Sequence, residues 1–126
     1  MLNIKKLLTK ILKRLPTYTI PINGATYTGT TSNAWEYVGK SITVASGHVA
    51  IVTCVQNYSS GRPMGIGLGT NASANPPLYF AQHATESVYR ATFMLTAGTW
   101  YLYTKRATVP SAANSYHIYK LDFDVS

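Results

Sequence analysis

The chain is short of charge, of acids above all, and of cysteine. Charged residues make up 12% of it, about half the roughly 25% of an ordinary soluble domain. Only four residues are acidic, Glu36, Glu86, Asp122 and Asp124. Paired carboxylates for glycoside hydrolysis could come only from these, with Asp122 and Asp124 the one pair two residues apart on a common strand face. The single Cys54 excludes an intrachain disulfide, and no thiol cluster is available for zinc. His48, His83 and His117 stand 35 and 34 residues apart with no cysteine or acid at ligand spacing, so no metal or other cofactor is expected. No apolar run approaches the roughly 18 residues of a spanning helix. A G-x-S-x-G elbow is missing. Gly65, Gly67 and Gly69 alternate every second residue, which is not the spacing of a phosphate cradle. A non-enzymatic protein is expected.

What is present is unevenly placed. Of eleven basic residues, five fall in Met1 to Leu15, and that stretch holds no acid, glycine or proline before Pro16. Met1, Ile4, Leu8, Ile11 and Leu15 recur at spacings of three and four, widened by Leu7 and Leu12, which predicts an amphipathic helix. Its opposite face carries Lys6, Lys10, Lys13 and Arg14, where like charges four residues apart repel. A helix this short and self-repelling is marginal alone. Its apolar stripe is expected to be completed by a partner, with Ile4, Leu8, Ile11 and Leu15 as anchoring contacts. The candidate partners are its own domain, sister copies in a trimer, another protein, or an anionic membrane surface. The other six basic residues are scattered, which argues against nucleic acid.

From Pro16 the period changes to two. Residues 16–24 predict a linker or edge strand, with Pro21 unable to donate to a central ladder. Residues 25–126 predict one all-β domain, an antiparallel β-sandwich or jelly roll of about eight strands. Within it Ala34 to Val38 and Lys40 to Val44 read as short strands around Gly39. His48 to Val55, apolar at nearly every position, reads as a strand covered on both faces or one in the centre of a packed sheet. Val88 to Leu95 and Trp100 to Arg106 read as a hairpin about Thr96 to Thr99, with Trp100, Leu102 and Thr104 facing the core. In the last strand, Asp122 and Asp124 mark the face that is expected to meet water.

Sixteen Thr, ten Ser and ten Tyr supply the polar positions, a mixture suited to sheets and to wet, uncharged contact surfaces. Tyr58 and Arg62 in one loop, and Asn71 in another, are candidate ligand contacts for a glycan-binding or host-adhesion module.

Leu95-Thr-Ala-Gly-Thr-Trp-Tyr-Leu-Tyr-Thr-Lys105 and Tyr116-His-Ile-Tyr-Lys120 together resemble the final strands of small jelly-roll virion proteins of tailed bacteriophages, of fibre, decoration or baseplate type. A short lysine-rich leader before such a module is similar to those proteins as well. The resemblance covers about half the chain. It implies a structural protein that trimerises, attaches to other virion proteins through its leader after assembly in the bacterial cytoplasm, and presents its β domain for assembly or for contact with host-surface glycan.

Overall fold

The structure, a computed structural model, describes residues 3–84 and 87–126, without the side chain of Lys13. Among the described residues one helix, α1 (Ile4–Arg14), precedes six strands: β1 (Thr17–Tyr27), β2 (Trp35–Asn57), β3 (Pro63–Gly69), β4 (Tyr79–Gln82), β5 (Arg90–Arg106) and β6 (Asn114–Asp124). They form one antiparallel sheet in the order β1-β6-β2-β5-β3-β4. The all-β class and the leading helix are therefore as expected. The strand number is six and not about eight, because segments that look separate in sequence are continuous.

Two long strands account for the difference. β2 runs through Gly39 and Gly47, both at positive φ, and answers the extra residues with register shifts between Tyr37 and Ser41 and between Val44 and Val49. β5 runs through Thr96 to Thr99 without a hairpin, since β2 pairs with it on both sides of that point, Val49 with Thr96 and Val44 with Gly98. Trp100 Nε1 donates to Thr96 O at 2.9 Å and satisfies a carbonyl within the irregular stretch. Bulges of this kind bend and twist a strand without ending it.

The bends fold the sheet over its own inner face. The C-terminal half of β2 pairs with β6, whereas the C-terminal half of β5 pairs with β3. Side chains then meet across the core: Gln56 Nε2 donates to Gly65 O, and Thr104 Oγ1 donates to Gln56 Oε1 at 2.9 Å. Ala50, Val52, Cys54, Ile66, Leu68, Leu95, Leu102, Tyr116 and Ile118 are fully buried there. Every residue of β3 is buried, and glycine is what allows so close an approach. A Cβ on Gly67 would lie 2.6 Å from Tyr79 O and 2.8 Å from Phe80 Cβ. Gly67→Ala is expected to cost about 1–3 kcal/mol through overpacking, read as an earlier thermal midpoint.

Two expectations about faces change. The stretch from His48 to Val55 is central in the sheet, paired with β6 and β5, but it is covered on one side only, for Ile51 is exposed beside buried Ala50 and Val52. In β6 the acid-bearing side is the inner one, because Tyr116 and Ile118 share it and are buried. Residues 16–24 are not a free linker: β1 pairs with β6 from Thr17 onward as the edge strand, and Pro21 falls at a register irregularity.

Candidate functional site

The helix is the first candidate. Asn3 caps it, its Oδ1 accepting from Lys6 N at 3.0 Å, and Leu15 leaves helical geometry just before Pro16. Among the described elements it touches β6 alone. Lys10 and Arg14 share a concavity with Asp124 and Ser126, so the side turned to the domain is basic. The apolar stripe is left uncovered: Ile4, Leu7, Leu8, Ile11, Leu12 and Leu15 are each 42–65% exposed. Packing on its own domain is thus not the fate of this stripe in the monomer. Met1 and the Lys13 side chain lie outside the described residues; Lys6, Lys10 and Arg14 are exposed.

The three candidate ligand residues do not converge. Tyr58 and Arg62 lie on the loop after β2, whose backbone is clamped by Asn114 Oδ1 accepting from Ser59 N at 2.9 Å and Ser60 N at 3.1 Å. Asn71 lies past the opposite end of β3, roughly 25 Å away at 3.3 Å per residue. Its Oδ1 accepts from Ser73 N, and its carbonyl accepts from the buried Tyr103 hydroxyl. Asn71 is therefore a loop-shaping residue. Tyr58 and Arg62 remain exposed and near one another in sequence.

An ionic cluster occupies the core behind the β1–β2 loop. Arg106 Nη2 donates to Glu36 Oε2 at 2.9 Å and Nη1 to the Tyr116 hydroxyl at 2.5 Å. Glu36 Oε1 accepts from Thr30 N, Thr30 Oγ1 and Thr31 N, each at 2.8 Å. The guanidinium carbon stands 5.4 Å from the Tyr27 ring centroid, and Arg106 Nε has no hydrogen-bond partner. Burial, then the Glu36 charge, raises the Tyr27 hydroxyl above its usual range. A side chain at Gly29 would strike Arg106 Nη2 at 1.9 Å. Apart from Arg106 Nε, for which no partner is found among the described residues, these groups bond inward to one another, which suits a clasp for the loop better than chemistry on a substrate.

A second polar set lies at the inner rim. His48 Nδ1 and Asp122 Oδ1 are 2.5 Å apart, and Lys120 Nζ lies 3.6 Å from Asp122 Oδ2 while donating to Thr43 O at 2.7 Å. No hydroxyl or thiol is bonded to His48 to act as a nucleophile among the described residues. Asp124 accepts from Ser126 N at 3.0 Å. No group of three or more potential metal ligands occurs among the described residues, and no described helix is long and apolar enough to cross a membrane.

The chain matches no protein-family model and no curated sequence.

Cys54 is buried in the same core, and burial pushes its thiol up from 9.0 to about 12. The folded state favours the neutral thiol. That contribution is complete below the unfolded thiol value and is lost as pH rises from near 9.0 toward about 12. Native protein at pH 8 is expected to leave Cys54 unmodified by a thiol reagent that labels the urea-unfolded chain at once, as absorbance of the released group would report.

Proposed function

We propose that this chain is a non-enzymatic assembly protein, a virion structural component of the tailed-phage kind. Its N-terminal helix joins sister copies, and the β domain faces outward. The observation that carries this reading is the uncovered stripe from Ile4 to Leu15, beside a domain that turns only the basic side of the helix toward itself. An apolar face this complete on an eleven-residue helix is not stable in water by itself.

The residue pattern favours sister copies. With Ile4 and Ile11 at d and Leu8 and Leu15 at a, the flanking pair that meets between parallel helices is Leu7 at g with Leu12 at e. Lys6 and Lys13 fall at f, away from the seam. Apolar flanks widen the buried surface and favour three strands over two, as the resemblance to trimeric virion proteins implies. Two heptads alone make a weak seam, and the outer sheet face offers a second contact at the same end of the molecule. There Tyr18, Leu121, Ile51 and Met94 form one row across β1, β6, β2 and β5, with Tyr18 and Met94 strongly exposed. We read the folded-over sheet as the sandwich, of jelly-roll kind, that this architecture calls for.

Light scattering of the full chain tests the reading. A trimer of the 13.8 kDa chain at micromolar concentration is the expected result, and a monomer would overturn it. A second reading, attachment to an anionic membrane, is favoured by five basic residues and no acid in residues 1–15. A monomer that binds anionic vesicles and is released by salt would establish it in place of the trimer.

A further inference from the structure

An open groove of about 470 Å³ runs over the outer face of the sheet, lined by Thr53, Val55, Asn57, Arg90 and Tyr119. Strand register explains its shape. Val55 of β2 lies between His117 of β6 and Arg90 of β5, and Thr53 lies between Tyr119 and Thr92. Val55 and Thr53 thus make a floor, with an aromatic wall on one side and a cationic and hydroxylic wall on the other. The walls are two strand spacings apart, roughly 9–10 Å, which is room for a sugar ring.

On the aromatic wall, His117 is held at both ring nitrogens. Asn57 Nδ2 donates to His117 Nε2, and His117 Nδ1 donates to Asn23 Oδ1, both at 3.2 Å. The planes of the His117 and Tyr119 rings are 13° from parallel, with centroids 6.2 Å apart. Opposite them, the Thr53 and Thr92 hydroxyls are 2.9 Å apart. Arg90 is exposed and makes no ion pair among the described residues. The described acids are engaged elsewhere, Glu36 by Arg106, Asp122 by His48 and Lys120, and Asp124 by Ser126.

We infer that this groove binds an acidic saccharide, with the sugar's C–H face on the Tyr119–His117 shelf and its carboxylate against Arg90. Asn57 and the threonine pair supply the amide and hydroxyl groups that sugar hydroxyls bond to. A nucleic-acid strand would call for a track of cations, whereas Arg90 is the single cation among the lining residues. A peptide adding to the sheet would need an open strand edge, whereas β2 is paired on both sides here. A guanidinium facing a carboxylate provides the strongest single contact in such a site. The groove lies two residues along from the Leu121–Ile51–Met94 row, so the inference requires that sister copies meeting through that row leave Thr53, Arg90 and Tyr119 open.

The test is a titration of the isotopically labelled full chain, followed by amide chemical shifts, with sialyllactose, with trigalacturonate, and with neutral lactose as counterpart. At least one acidic sugar is expected to move Thr53, Val55, Asn57 and Tyr119, with lactose weaker by about tenfold or more. Arg90→Gln should weaken that binding by about tenfold while other shifts stay put. Tyr119→Leu, which keeps bulk but removes the flat ring, should weaken acidic and neutral sugars alike. The inference fails if neither acidic sugar moves these amides up to about 10 mM, or if lactose binds as well. It also fails if binding survives Arg90→Gln but is lost on replacing Lys5, Lys6 and Lys10 by Gln.

Discussion

Arg106→Met is expected to lower the unfolding free energy by about 3–5 kcal/mol, seen as an earlier urea midpoint with an unchanged slope. The reason is what the change leaves behind. Glu36, with a side chain 9% exposed, would lose the only cation bonded to it among the described residues, and the Tyr116 hydroxyl would lose its donor. Thr30 and Thr31 would still bond Glu36 Oε1, so the carboxylate would stay near its place, charged and poorly solvated. The double variant Arg106→Met with Glu36→Leu should be less damaging than Arg106→Met alone, because removing both charges leaves no buried ion unpaired. A single-variant loss below about 1 kcal/mol would show that water reaches Glu36 and that the clasp is dispensable.

Leu8→Lys with Ile11→Lys is expected to abolish self-association while leaving the β domain's melting temperature in place. Both side chains are about half exposed in the monomer and contribute nothing to the core. In a three-helix seam each would be buried, at roughly 1.5–3 kcal/mol per side chain, and each lysine would add a like charge at the axis. At micromolar concentration the variant should therefore scatter as a monomer. Lys6→Gln is the informative control. It relieves repulsion between Lys6 and Lys10, so a seam between sister helices should hold at least as well, whereas attachment to an anionic surface should weaken.

Much of this was legible in the residues, and the rest was hidden for physical reasons. The helix and its stripe could be read because a period of three and four with a terminal Pro16 admits little else. The buried face of β5 was legible at Trp100, Leu102 and Thr104, and the same alternation read one step further reaches Arg106, the key core cation. A charged residue is readily assigned to the surface, and only its pairing with Glu36, seventy residues away, makes burial tolerable. Gln56 extends Ala50, Val52 and Cys54 in the same way, and its bonds to Gly65, Val88 and Thr104 come from distant strands. The strand count was misjudged because Gly39, Gly47 and Gly98 resemble turn signals, and only the partner strand decides whether a glycine ends a strand or bends it. The groove beside Arg90 was unreadable for a related reason: Tyr119, Thr53 and Arg90 become neighbours only through the register of β6, β2 and β5.

The claim that the N-terminal helix is completed by sister copies is tested most directly by amide hydrogen exchange along Ile4 to Arg14 as protein concentration is varied. Burial in a seam predicts that amides around Leu8 and Ile11 are protected at high concentration and lose protection on dilution, while those of β2 and β5 stay protected throughout. Helix amides that exchange at unfolded-chain rates at every concentration, beside a protected β domain, would contradict it.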